Sequence, residues 1–137
     1  EGTVTQFDRA EVVYPVGAKV TGFNVILTGS LSLFFPSDEA LALTRVYSRG
    51  EQIGFVGMIA LHDRKGTAIA NETALVLEIT AEQFFGLYDT APQDFGLLLL
   101  NLSREMARSI GDMGETIRGL RQQLATQDKG RPGDPAR

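Results

Sequence analysis

The sequence predicts a mainly β fold, an antiparallel roll of the jelly-roll type, followed by helices that end in one long C-terminal helix. From Val12 to Ile79, short segments of alternating apolar and polar residues are separated by turn residues at close intervals, which is typical of antiparallel β folds. At Thr80 this pattern gives way to helical spacing, and after Pro92 no proline interrupts the chain until beyond Ala125. The length of 137 residues suits one such domain.

Alternation with a period of two marks the strands, because successive side chains of a strand point to opposite faces of the sheet. We expect the apolar row of each segment to face the interior. Pro36-Ser37-Asp38-Glu39 has the composition of a hairpin turn, and glycines between positions 50 and 66 indicate further turns. The rows expected inside are Leu31, Leu33 and Phe35, then Leu41 and Leu43, then Leu75, Leu77 and Ile79.

Two helices are predicted after the last strand. Thr80-Ala81-Glu82-Gln83 has the pattern of a capping box, which predicts a short helix over residues 80–88. Pro92 is well placed as the first residue of the second helix.

We therefore divide the chain into a roll over residues 1–90, a long helix over 91–126 and a tail over 127–137. The tail has two prolines, two glycines and no large apolar residue, so we expect it to be disordered and dispensable.

The long helix carries a heptad seam of apolar residues spaced four and three apart. A helix of about 30 residues is about 45 Å long, which overshoots a roll of this size. We therefore predict a homodimer through this helix, a short coiled coil, over the alternative that the seam packs along its own domain. Gly111, Gly114 and Gly119 either admit close approach of a partner helix or of the roll, or merely weaken this helix, each by about 1 kcal/mol relative to alanine. The predicted interface residues are Met106, Ile110, Met113, Ile117, Leu120 and Leu124.

Composition and charge exclude several classes of function. Without cysteine the chain has no disulfide, no thiolate nucleophile and no sulfur ligand for a metal, which suits a cytoplasmic protein. No apolar run approaches the length that spans a bilayer, so we expect no membrane contact. Residues 1–103 carry six Lys/Arg against twelve Asp/Glu, and residues 104–137 carry seven against five. The basic excess of residues 104–137 is weak and scattered, which argues against nucleic-acid binding by this chain alone.

No pattern in the sequence indicates a catalytic site. A cupin-type enzyme would need several histidines and a carboxylate inside the roll, whereas this chain has one histidine, His62, which we interpret as a surface loop residue beside Asp63. The sequence also lacks a Gly-x-Ser-x-Gly nucleophile elbow and a Walker-type phosphate loop. We therefore predict a protein that is not an enzyme and that uses no metal or cofactor.

Four segments, taken in their order and spacing, carry a resemblance to a known family. Val13-Tyr14-Pro15-Val16-Gly17 looks like a first roll strand with its glycine turn, and Val25 to Leu33 looks like an "I-x-x-G-x-V-x-V" hairpin. Gly50-Glu51-Gln52-Ile53-Gly54 is similar to a "G-D-x-F-G-E" stretch, and residues 92–124 look like a helix pair that ends in a dimerising helix. Over about residues 10–125 the chain resembles the cyclic-nucleotide-binding domain family, particularly the effector domains of bacterial transcription regulators of the catabolite-activator type.

The resemblance implies a phosphate-binding cassette that opens with the "G-D-x-F-G-E" stretch. In that family the backbone N–H groups of a short helix hold the cyclic phosphate, an arginine pairs with its charge, and a glutamate accepts the ribose 2′-hydroxyl. Here the glutamate position is Phe55 and the arginine position is Gly66, so both charged groups are missing. Arg64 and Lys65 are either a replacement cation or a solvated charged loop. The resemblance places the ligand pocket at Gly54, Phe55, Val56, Gly57, Arg64, Lys65, Gly66, Thr67 and Ala68.

Two functions remain open. The residues favour a dimeric regulatory or signalling domain that cannot bind cyclic AMP in the family's usual way. The resemblance favours a working sensor domain for a cyclic nucleotide or another small effector, within a transcription regulator whose DNA-binding segment is not in this chain. The segments between Gly17 and Phe23 and between Ala70 and Ala74 are also shorter than the family's pattern.

Overall fold

Eight antiparallel strands form two four-stranded sheets in the computed structural model, which describes residues 2–38 and 41–129. The strands are β1 (Thr3–Phe7), β2 (Val12–Tyr14), β3 (Gly22–Thr28), β4 (Ser30–Pro36), β5 (Leu41–Ser48), β6 (Gln52–Ile53), β7 (Thr67–Ala70) and β8 (Ala74–Thr80). The first sheet has the order β1-β8-β3-β6 and the second the order β2-β7-β4-β5. The predicted turn at residues 36–39 lies partly outside the described residues, but β4 and β5 on either side of it are antiparallel neighbours.

Three helices complete the fold: α1 (Phe55–Ala60), α2 (Ala81–Thr90) and α3 (Pro92–Lys129). The predicted capping box is present, since the Gln83 N–H donates to Thr80 Oγ1 at 3.1 Å and the Thr80 N–H donates to Gln83 Oε1 at 2.9 Å. Helix α3 begins at Pro92 as predicted and continues to Lys129, three residues past the expected end at 126. The rest of the predicted tail, residues 130–137, lies outside the described residues. The predicted fold class, an antiparallel roll with a long C-terminal helix, is confirmed.

The interior between the sheets is a cluster of small and medium apolar side chains. Leu31 is fully buried there and Leu33 packs against the cluster, as the alternation in β4 predicts. The predicted inner row of β8 is wrong, because Ala74 and Val76 face the core whereas the residues of the predicted row are only half-buried on the opposite face. The buried members of the cluster are Ile26, Leu31, Ile53, Ala68, Ala70, Ala74 and Val76.

Two physical reasons explain where the predicted rows fail. Strand β8 carries partly buried apolar residues on its outer face as well, so the larger side chains do not identify its inner face. Strand β5 is the edge of its sheet, and its predicted row is exposed, Leu41 at 49% and Leu43 at 58%. Phe35, at the end of β4 beside this edge strand, is 40% exposed.

A second core, made of aromatic rings, lies on the other face of β3. Phe23 is an odd number of residues from the interior residue Ile26, so its side chain points away from the roll interior. Its ring centroid lies 5.4 Å from that of Phe55 and 5.7 Å from that of Phe84, and the rings of Phe55 and Phe84 are 5.6 Å apart. Phe95, in the first turn of α3, extends the cluster at 5.2 Å from Phe84. Phe84 is therefore the ring that the other three share.

The chain divides into two compact units, one up to Gly96 and one from Leu97 onward. The first contains both sheets, α1, α2 and the first turn of α3, and the described part of the second is a single helix. None of the helices in the described ranges combines the length and the apolar character that a membrane-spanning segment requires.

We expect Phe84→Ala to destabilise the first unit strongly, because Phe84 is fully buried and its removal leaves a cavity among three rings. The expected loss in the free energy of unfolding is about 3–5 kcal/mol, measured by urea denaturation. Phe85→Ala is the matched control, since Phe85 is the neighbouring residue on the same helix and is 50% exposed. Equal losses for the two variants would show that Phe84 does not hold the cluster together.

Candidate functional site

The segment that resembles the phosphate-binding cassette runs from β6 through α1 to β7. Gly54 precedes α1 in the left-handed conformation, with φ of 98°, which glycine adopts at no steric cost. The Phe55 N–H, at the start of α1, donates to Gln52 Oε1 at 3.1 Å. The buried Gln52 side chain therefore satisfies a backbone donor at the start of this helix.

Phe55, at the position of the family's glutamate, is committed to the aromatic core. Its side chain is fully buried and makes edge-to-face contacts with Phe23 and Phe84. A glutamate there would place a carboxylate among rings that offer it no hydrogen-bond donor. The residue therefore serves packing and presents no polar group to a ligand.

Gly66, at the position of the family's arginine, has no room for a side chain. A Cβ atom on Gly66 would lie 2.6 Å from Cδ1 of Phe35 and 2.9 Å from the backbone oxygen of Phe34. Because one of these neighbours is the backbone of β4, an arginine at this position would have to displace the strand. Restoring the two charges as Phe55→Glu with Gly66→Arg would therefore disrupt packing at both positions.

Arg64 is the one charged side chain of the candidate pocket that the structure buries, with 9% of its surface exposed. Its Nη1 donates to the Gly54 carbonyl oxygen at 3.0 Å, and its Nη2 donates to the Gly22 carbonyl oxygen at 3.0 Å. The guanidinium carbon lies 4.2 Å from the centroid of the Tyr14 ring, a cation–π geometry. Arg64 thus joins β2, the start of β3 and the entry to α1.

Burial is the largest cause of the pKa shifts of Arg64 and Tyr14. It lowers the pKa of Arg64, because desolvation disfavours the charged guanidinium, although Tyr14 and Glu78 act in the opposite direction. It raises the pKa of Tyr14 to about 12, since the phenolate is desolvated more than the nearby Arg64 charge stabilises it. Tyr14 is therefore neutral throughout the physiological pH range.

The other candidate pocket residues do not form a common ligand surface. Val56 is 53% exposed on α1, and Lys65 is exposed beside the buried Arg64. Gly57 is buried, with Val20 Cγ2 3.1 Å from where its Cβ would lie. Thr67 Oγ1 accepts the Val16 N–H at 3.0 Å, and Ala68 belongs to the roll interior. The structure thus brings Gly54, Gly57 and Arg64 together but leaves Lys65 and Val56 at the surface.

Sequence reasoning missed the partners of Arg64. The sequence identifies Tyr14 only as a strand residue and gives no functional signal at Gly22. The Gly22 carbonyl is 42 residues from Arg64 in the chain and carries no side-chain signal, so no local pattern predicts the contact. Gln52 was part of a quoted motif, but a capping role for its side chain depends on the fold around Gly54.

The predicted dimer residues lie on the described part of the second unit. All six are in α3, and five of them are more than half exposed on the single chain. An added Cβ at Gly111, Gly114 or Gly119 would meet no atom within 4 Å. The exposed fractions are 69% for Ile110, 58% for Met113, 55% for Ile117, 54% for Leu120 and 62% for Leu124.

Comparison with known proteins gives a family match over the roll. The family model described as Cyclic nucleotide-binding domain matches residues 4–91, which include both sheets and the cassette segment. Among curated proteins, Lysophospholipase NTE1 of Cryptococcus neoformans is 25% identical over 116 residues, 84% of this chain. The chain spans only 7% of the length of that lysophospholipase.

Solved structures share the fold at low sequence identity. The Thermus thermophilus Catabolite Activator Protein matches with a TM-score of 0.76 and 18% identity, over 87% of this chain and 55% of that one. A putative cAMP-binding regulatory protein from Silicibacter pomeroyi matches with a TM-score of 0.63 and 21% identity, over 88% and 53%. The N-terminal domain of a transcriptional regulator from Streptomyces coelicolor has a TM-score of 0.66 and 17% identity, over 79% and 78%.

We expect Arg64→Ala to lower the free energy of unfolding by about 3 kcal/mol, because the Gly22 and Gly54 carbonyls lose their donor in a poorly solvated site. Arg64→Lys should recover only part of this loss, since an ammonium group cannot reproduce the planar, two-donor contact stacked on Tyr14. Urea denaturation measures the free energy of unfolding of both Arg64 variants.

Lys65→Ala is the control for that series. It removes a neighbouring cation that is exposed, so its expected effect is within about 0.5 kcal/mol. A similar loss for Arg64→Ala and Lys65→Ala would contradict a structural role for the buried guanidinium.

Proposed function

Because the chain belongs to the cyclic nucleotide-binding domain family, we propose that it is a regulatory domain of that family that does not bind a cyclic nucleotide in the family's usual way. The observation that carries this proposal is the state of Arg64. Its guanidinium is turned to two backbone carbonyls of its own domain and lies against Tyr14. A guanidinium fixed in position by these contacts cannot swing toward a cyclic phosphate, so Arg64 does not replace the arginine that is missing at Gly66.

The remaining cassette positions support the same conclusion. Phe55 replaces a ribose-binding carboxylate with a buried ring, and Gly66 is packed against β4. Charge-assisted hydrogen bonds contribute about 1.5–3 kcal/mol each. The absence of two such contacts therefore weakens binding by a factor of about a hundred to ten thousand. Lys65 is exposed in the same loop, and a single flexible ammonium does not make up this difference.

The proposal also includes a non-enzymatic role for the domain. His62 is the sole histidine, and its Nδ1 lies 2.9 Å from the backbone oxygen of the adjacent Asp63. Within residues 2–38 and 41–129, no three metal-ligating side chains form a cluster. The proposed non-enzymatic role rests on the family match over residues 4–91.

The proposal includes a homodimer through α3. Its five exposed seam residues repeat at heptad spacing, and a continuous apolar row of this length on a helix of 38 residues is costly to leave in water. Open space at the three helix glycines leaves room for the backbone of a second helix to approach closely. A dimer would place the two copies of the domain in a fixed relation, which suits a signalling role.

The second candidate is a working sensor for a cyclic nucleotide or another small effector, within a larger transcription regulator. Its support is the similarity of fold to the Silicibacter pomeroyi protein, which is described as a putative cAMP-binding regulatory protein. Similarity of fold at 21% identity does not carry a ligand from one protein to the other. The cassette side chains favour the first candidate.

We expect no cyclic nucleotide to bind with micromolar affinity. Isothermal titration with cyclic AMP, cyclic GMP and cyclic di-GMP should give dissociation constants no tighter than about 0.1 mM, as a weakening of a hundredfold or more from micromolar affinity requires. A micromolar value for any of them would overturn the proposal and favour the sensor. Lys65→Ala would then show whether Lys65 supplies the replacement cation.

We expect the double variant Ile110→Glu, Ile117→Glu to be a monomer in light scattering, because it places charges in the middle of the seam. The matched control is Gln122→Glu with Ala125→Glu, which adds the same net charge to the same helix at exposed positions off the seam. The control should remain a dimer. A monomeric wild-type chain at high micromolar concentration would contradict the interface.

A further inference from the structure

A polar cleft of about 130 Å³ lies where β1, β2, β3 and β8 meet the connection from β2 to β3. Its lining includes Arg64 and, from that connection, the exposed Lys19. Asn24 and Glu78 also line it. Of the nine residues of the predicted nucleotide pocket, Arg64 alone lines this cleft.

The strand register explains why Asn24 and Glu78 are together. They are direct partners in the antiparallel pair of β3 and β8, so their side chains lie on the same face of the sheet. This face also carries Ile26 and Val76, which belong to the roll interior. The cleft is therefore the open end of the space between the two sheets, where polar residues replace the apolar core.

The opposite charges that line the cleft, Arg64 and Glu78, form no ion pair with each other. The Glu78 carboxylate interacts with the Arg64 charge through space. Among residues 2–38 and 41–129, the side chains of Lys19, Asn24 and Glu78 have no hydrogen-bond or ion-pair partner. Two of the five N–H groups of Arg64 are used by backbone carbonyls.

We propose that this cleft binds a small zwitterion, a free α-amino acid of about the size of alanine or serine. The ligand's carboxylate pairs with Arg64 and Lys19, and its ammonium group pairs with Glu78, with the Asn24 amide as a further partner. Tyr14 and Phe7 provide an apolar wall for a short side chain. An anion alone would face Glu78, and a cation alone would face Arg64 and Lys19, so a molecule that carries both charges fits best.

The size of the cleft sets the ligand class. About 130 Å³ is less than half of the ~300 Å³ at which pockets for drug-sized molecules begin. It corresponds to about four water molecules at about 30 Å³ each. A nucleotide is far too large for it, whereas a small amino acid fits, and the rigid Arg64 provides a preorganised anchor for its carboxylate.

The test compares L-alanine with its two halves, propionate and ethylammonium, by isothermal titration in a buffer free of amines and carboxylates. L-alanine should bind at least about tenfold more tightly than either half, the effect of one additional charge-assisted hydrogen bond. Equal affinity for L-alanine and propionate would overturn the proposal in favour of a simple anion site. Absence of binding of all three at tens of millimolar would also overturn it.

Glu78→Gln keeps the size of the side chain and removes the partner of the ammonium group. It should reduce the affinity for L-alanine to that for propionate while leaving propionate binding unchanged or tighter. Glu82→Gln, at an exposed position on α2, is the control and should leave both affinities unchanged. Arg64 is not used as a test position, because we expect its replacement to destabilise the fold. Unchanged thermal unfolding of Glu78→Gln and Glu82→Gln would confirm that both variants are folded.

Nuclear magnetic resonance of ¹⁵N-labelled protein locates the site. Saturating L-alanine should shift the backbone amide resonances of Gly22 and Asn24, which line the cleft, and leave those of Val56 and Ala60 on α1 unchanged. Shifts confined to α1 or α3 would place the ligand elsewhere and overturn the assignment. Because these measurements do not involve cyclic nucleotides, their outcome is independent of the function proposed above.

Discussion

The hydrogen bonds from Arg64 to the carbonyls of Gly22 and Gly54 are the contacts on which the arrangement of the roll depends. They connect the start of β3 to the entry of α1, and the Tyr14 ring adds β2 to the same point. A buried guanidinium requires partners for its charge, and here the backbone supplies them. The geometry of the cassette segment is therefore set by contacts within the domain, without a bound anion.

The cassette belongs to two cores at once. Phe55 anchors the start of α1 in the aromatic cluster outside the roll, whereas Thr67 and Ala68 in β7 are buried at the interior of the sheets. Arg64 lies in the loop between these two parts and is buried as well. Three of the cassette positions, Phe55, Arg64 and Gly66, are thus needed for packing within the domain, whereas Lys65 is exposed.

Local patterns in the sequence were sufficient for the class of fold and for several element boundaries. The capping box at Thr80 and the start of α3 at Pro92 depend on residues within four positions of each other, and the structure confirms both. The inner face of β8 could not be predicted, because apolar residues occur on both faces of a strand with neighbours on either side. The contacts of Arg64 and the cleft beside Glu78 could not be predicted either. The cleft depends on the register between β3 and β8, and the Arg64 contact depends on a carbonyl 42 residues away. No local sequence pattern indicates either of them.

Arg64 connects partners that differ greatly in their separation along the chain, 10 residues for Gly54 and 42 for Gly22. The nearer contact can form while the cassette loop closes, whereas the farther one requires the sheets to have docked, and such long-range closures carry a larger entropy cost. Until then the guanidinium keeps its hydration shell, so its desolvation is compensated only in the last stage of folding. An interaction completed after the folding barrier slows unfolding more than it speeds folding. On this order of events, we expect Arg64 to affect the lifetime of the folded domain more than the speed with which the chain reaches it.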